Sequence, residues 1–173
     1  MQGLEVPEPD YDDPKEVYAF FGLAYYSVQV LEQGLVNLAV ALSAKHVPGV
    51  TFGSVAEIYD AMDKKTFGQI LQSTRNQTGI PADLNADLEE ALNKRNYLAH
   101  RFFVAHDVDI RSPEGRRKMI DELRDVVAFV KQLDAKMDPV WIAAWERLGV
   151  TQEWVNKQLA RLQAAEAEST GDA

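Results

Sequence analysis

Residues 17–44 read VYAFFGLAYYSVQVLEQGLVNLAVALSA, and this stretch decides the fold. Apolar side chains recur at Val17, Phe21, Ala24, Val28, Leu31, Leu35, Leu38 and Leu42, in alternating steps of four and three. Only a helix turns that spacing into one face. Upstream, Asp13, Pro14 and Glu16 supply an N-cap, a first-turn proline and an acid at the third helical position. Downstream, Pro48 and Gly49 stop the helix after about His46, which gives it a length of roughly 50 Å. Val30, Val36 and Val40 lie off the stripe, so a second side of this helix is expected to be buried, with a neighbouring subunit as the covering surface. Gln29, Glu32, Gln33 and Asn37 interrupt the run and argue against a membrane span.

Beyond it the pattern stays helical. Ser54 is positioned to cap a short helix through Met62, and Thr66 to Arg75 forms another before the break at Thr78–Gly79–Ile80–Pro81. A third major helix starts near Asp83 or Asn85 and runs to about Phe103. A fourth begins at Ser112–Pro113, with a stripe at Met119, Leu123, Val126, Val130, Leu133 and Met137. Pro139 is expected to interrupt it, Val140 to Leu148 resume the pattern, Gly149 closes it, and Thr151 to Gln163 form the last helix. No stretch alternates as a strand does. The fold class is therefore all-α: a single-domain bundle of four to six helices with a long first helix, spanning residues 14–163. Residues 1–13 read as a flexible acidic lead and 164–173 as a disordered tail.

The 173 residues are 46% apolar and 26% charged, with 18 Lys and Arg against 27 Asp and Glu, for a net charge of -9. A chain of this length buries roughly 70% of its unfolded surface and can build a core unaided. It has no cysteine, which excludes disulfides, thiolate-bound metals and thiol catalysis. The N-terminus lacks a basic start followed by an apolar run, so a cytoplasmic location is expected. The net charge argues against nucleic-acid binding over the whole surface but leaves a local basic patch open.

Chemistry concentrates in the third helix. Its stripe runs Leu84, Leu88, Ala91, Arg95, Leu98 and Phe102, with an arginine in an apolar row. That side chain must snorkel, pair with a carboxylate or face an anion. A polar edge runs beside it at Glu89, Asn93, Asn96 and His100, with Asn96 and His100 one turn apart. The run Arg95-Asn96-Tyr97-Leu98-Ala99-His100 resembles the arginine, polar residue, then histidine motif of the HEPN superfamily, the higher eukaryotes and prokaryotes nucleotide-binding proteins. The setting is similar too: a small all-α bundle with a long first helix, and the motif late in an inner helix.

The resemblance implies a metal-independent endoribonuclease of toxin–antitoxin or phage-defence type. It implies no cofactor, a homodimer whose two motifs face one site, and an antitoxin or other protein partner. It assigns Arg95 to phosphate, Asn96 to positioning and His100 to proton transfer. These types suit cleavage through the ribose 2′-hydroxyl: an imidazole takes its proton near neutral pH, and a guanidinium holds the charge that builds on phosphate.

Between Ala91 and Lys118, seven basic residues face three acids, Asp107, Asp109 and Glu114, forming a basic island on an acidic chain. Lys94, Arg101, Arg116, Arg117 and Lys118 are candidate RNA contacts, and Tyr97, with Phe102 and Phe103, offers rings for stacking. The same residues have plainer readings. Arg95 can be an ion pair in the bundle, His100 can bond a backbone carbonyl, and the 111–118 cluster can be a solvated helix start. A metal phosphohydrolase built on His100, His106, Asp107 and Asp109 is a further reading, with poor spacing. From another class, a non-catalytic dimerisation or interaction module fits the same helices. Trp141, Trp145 and Trp154 either anchor the last helix or mark a partner surface.

Overall fold

The computed structural model describes residues 5–47, 51–77 and 80–171. The break residues Pro48, Gly49, Thr78 and Gly79 lie outside them. The chain is all-α, with no strand among the described residues. Its elements are α1 (Glu16–Ala44), α2 (Phe52–Asp63), α3 (Phe67–Asn76), α4 (Ala82–His100), the single turn α5 (Phe102–Ala105), a 3-10 turn (Asp109–Arg111), α6 (Pro113–Glu146) and α7 (Gln152–Gly171).

Helix starts follow local chemistry. Helix α1 begins at Glu16, later than the expected cap at Asp13: Lys15 is its N-cap, with no side-chain bond, and Asp13 instead accepts from the Lys15 backbone N–H at 2.8 Å in the turn before it. Thr51, rather than Ser54, caps α2; Ser54 closes a reciprocal capping box from the third helical position. Thr66 and Gln69 form the same box on α3. Ser112 Oγ accepts from Gly115 N at 3.0 Å, and Pro113 occupies the first turn of α6.

The core lies mainly between α1 and α6, which pack along each other, with α2, α3 and α4 completing the enclosure. Every α6 stripe residue is buried, as is every α1 stripe residue except the half-buried Phe21. Val36 and Val40 are also buried, but within one chain, where α2 and α3 fold onto α1; Val30 is exposed. No second subunit is needed to cover Val36 and Val40.

Pro139 does not interrupt α6, which continues unbroken to Glu146. Proline removes the bond to the carbonyl four residues back, at Ala135. Both residues are exposed, so water can satisfy that oxygen. Gly149, at φ +83°, does close the helix: Val150 N bonds Trp145 O at 3.1 Å and Gly149 N bonds Glu146 O at 2.9 Å. Only glycine takes that left-handed turn cheaply.

Residues 5–13 lie along α6, where Arg124 bonds Glu8 at 3.0 Å and Lys131 bonds the Glu5 carbonyl at 2.9 Å. Tyr11 donates to Asp121, and Arg117 stacks on the Tyr11 ring at 4.3 Å. At the other end the backbone of α7 stays helical to Gly171.

Candidate functional site

The end of α4 is held against α6 in antiparallel register. Lys136 bonds Asp87 at 2.9 Å; seven residues on along α4 and seven back along α6, the Lys94 ammonium lies 5.1 Å from the Phe129 ring centre. This register fixes what the last turns of α4 present. Leu84, Leu88, Ala91, Leu98 and Phe102 point into the core, as the stripe requires. Arg95 departs from it: the residue is half-buried, and its guanidinium reaches the Asn96 side-chain oxygen at 3.4 Å. Arg95 therefore snorkels, and among the described residues no acid pairs with it. Asn96 and His100 are exposed. Helix α4 stops immediately after His100, at Arg101, whose φ of -129° is not helical.

The island is less open than its composition suggests. Lys94 pairs with Glu90 at 3.1 Å, Lys118 pairs with Asp109 at 3.0 Å, and Arg117 covers Tyr11. Arg116 is half-buried and donates to the Ile110 carbonyl at 3.3 Å. Arg101 and Arg111 are exposed and join no ion pair among the described residues. Phe102 is 1% exposed and unavailable to a base, whereas Phe103 stays partly open beside Tyr18 and Phe21.

Tyr97 faces a second arrangement, which the sequence reading did not assemble. His106 is 4% exposed, with Nδ1 at 2.7 Å from Asp109 Oδ2 and Nε2 at 2.9 Å from Glu122 Oε2. Both ring nitrogens therefore face carboxylate oxygens. The Tyr97 hydroxyl sits 3.3 Å from the same Nε2 and also hydrogen-bonds Glu122. Burial and the Glu122 carboxylate push the Tyr97 phenol up from an ordinary 10.0 to about 12. Asp109 shifts the other way: hydrogen bonds from His106 and Lys118 hold its carboxyl below the usual range. The Phe102 ring packs on the imidazole, with centroids 4.8 Å apart.

This latch closes because Gly115 lets the 3-10 turn approach α6. A Cβ at Gly115 would stand 2.1 Å from the Asp109 carbonyl oxygen. The sequence did carry one signal: Arg101 and His106 repeat the spacing of Arg95 and His100. Glu122, sixteen residues beyond His106, had none.

The metal reading does not assemble. His106 is turned inward onto two carboxylates while His100 is exposed, and among the described residues no three His, Asp or Glu side chains are grouped to hold an ion. No described helix is long and apolar enough to cross a membrane. Comparison with family models, with curated proteins and with solved structures gave no match.

Proposed function

We propose that the chain is a HEPN-like, metal-independent endoribonuclease that cleaves RNA through the ribose 2′-hydroxyl, working as a homodimer. One observation carries the reading: Arg95 occupies a core-stripe position yet directs its guanidinium to Asn96, with no acid partner among the described residues, and Asn96 lies one helical turn before an exposed His100. A guanidinium that snorkels from a core-stripe position and meets no acid among the described residues, close to an exposed imidazole, suits an anionic ligand better than a structural ion pair.

In the reaction, neutral His100 takes the 2′-hydroxyl proton as that oxygen attacks phosphorus. Arg95 donates to the phosphate oxygens as negative charge grows, and Asn96 orients the guanidinium or the backbone. The departing 5′-oxygen needs a proton, which the partner's His100 supplies as imidazolium when the two motifs face each other. The products are a 2′,3′-cyclic phosphate and a 5′-hydroxyl, so DNA, which lacks the nucleophile, is spared. Arg101 extends the positive surface toward the substrate backbone.

The dimer is supported by a stripe on α1 that its own chain leaves uncovered. Tyr18, Gly22, Tyr26 and Val30 recur every four residues, with Tyr18 59% and Tyr26 63% exposed. Phe103, three residues beyond His100, stacks on Tyr18 at 6.0 Å and continues this surface to the motif. The same stripe favours the second reading, a non-catalytic interaction module.

Labelled RNA incubated with purified protein in EDTA separates the two. Cleavage to cyclic-phosphate ends, reduced about 10²-fold or more by His100→Ala and by Arg95→Ala, supports the enzyme. Absent cleavage, or cleavage indifferent to both changes, leaves the interaction module.

A further inference from the structure

Roughly 30 Å along α6 from Glu122, a cleft of about 470 Å³ opens where α1, α2, the end of α6 and the start of α7 meet. Its size suits a small organic molecule. Four aromatic side chains line it: Tyr59, Trp141, Trp145 and Trp154. The Tyr59 and Trp145 rings are parallel within 9°, with centroids 6.3 Å apart, and the Tyr59 hydroxyl is fixed by donating to Asn37 Oδ1 at 2.8 Å. The turn at Gly149 leads into α7, whose first turn brings Trp154 to the same cleft.

Among the described residues no charged side chain lines the cleft, but acids stand behind its walls. Trp141 Nε1 donates to Asp138 at 3.1 Å. Asp134, one turn earlier on α6 and half-buried, adjoins the same indole: a Cβ at Gly34 would lie 3.7 Å from Asp134 Oδ1 and 3.8 Å from Trp141 Nε1. Neither acid has a cationic partner among the described residues. Burial, then the charge of Asp138, raises the Asp134 carboxyl above its ordinary range, and Asp63 adds to burial in raising the Tyr59 phenol. Arg147 and Lys157, the cations nearest in sequence to the lining residues, are exposed and line none of it.

We propose that this cleft binds a small organic cation of the quaternary ammonium class, seated on the faces of Trp141, Trp145, Trp154 and Tyr59. Ring faces carry the negative end of the aromatic quadrupole and attract a poorly hydrated cation. An indole whose N–H donates to a carboxylate presents a more electron-rich face. Among the described residues Asp134 and Asp138 lack a counter-ion, and a cation held at Trp141 provides one. A neutral molecule of the same shape gains only burial. The site shares no residue with the α4 motif, and the proposal does not rest on the ribonuclease reading.

Choline and its uncharged carbon isostere, 3,3-dimethylbutan-1-ol, are titrated against the full chain, followed by tryptophan fluorescence and by calorimetry. Saturable choline binding, at least about tenfold tighter than that of the alcohol, is expected. Trp145→Leu weakens it about tenfold. Asp134→Asn, which keeps shape and removes charge, weakens choline alone by about threefold. Absence of saturable choline binding, equal affinity for both compounds, or unchanged choline affinity in a folded Asp134→Asn protein overturns the proposal.

Discussion

Two stretches of this chain carry an arginine and a histidine with four residues between them, and they end in opposite states. At the end of α4, His100 is exposed and Arg95 meets no acid among the described residues. Six residues later, His106 is buried between Asp109 and Glu122, while Arg101 is the exposed member. The difference comes from the backbone. The chain leaves helical geometry at Arg101, and the short α5 turns His106 inward onto Phe102. A free imidazole can exchange protons with a substrate; one clamped by two carboxylates holds a loop in place.

The largest effect should come from breaking the latched half. Gly115→Ala places a methyl group on the Asp109 carbonyl and should cost about 3 kcal/mol, lowering the midpoint of thermal unfolding by roughly 8 °C. An unchanged midpoint means the 3-10 turn can retreat from α6 without loss. Next comes the paired substitution of the histidines. His106→Ala leaves Asp109 and Glu122 facing each other and should cost ~2 kcal/mol, reduced from the fully buried case because both acids are partly exposed. His100→Ala should stay within about 0.5 kcal/mol of the parent, since its side chain is exposed. Equal costs in chemical denaturation would erase the distinction between the two histidines.

The smallest expected effect is a pH dependence. The folded Tyr97 pKa lies above its unfolded value, so its contribution is fully present below pH 10 and is lost as pH rises toward about 12. Tyr97→Phe should flatten the stability curve in that alkaline window. A parent protein whose stability does not fall there, beyond what the variant shows, has its phenol outside the latch.

Much of the architecture was legible because helical periodicity is a local property. The α1 and α6 stripes emerge as buried rows, and Arg95 is visible as the odd member of the α4 row before any coordinates are drawn. Pro139 misled because the penalty of a helix proline depends on whether water reaches the freed carbonyl, which is a matter of burial. Val36 and Val40 revealed a second buried side but not its cover, because spacing does not distinguish α2 and α3 from another chain. Lys94, Arg116, Arg117 and Lys118 counted as charge in the sequence; their pairings with Glu90, Ile110, Tyr11 and Asp109 consume part of it. The aromatic cleft was foreshadowed only as three tryptophans, since Tyr59 and Asn37 reach it from other helices.

By itself the sequence determined the all-α class, the long first helix and the placing of Arg95, Asn96 and His100 near one helix end, because residues three to five apart are related by the helix repeat alone. The tertiary structure decided which histidine is free, which cations are spent and where the tryptophans meet a tyrosine. Those outcomes depend on contacts between residues far apart in the chain, and burial, pairing and protonation are set by those neighbours.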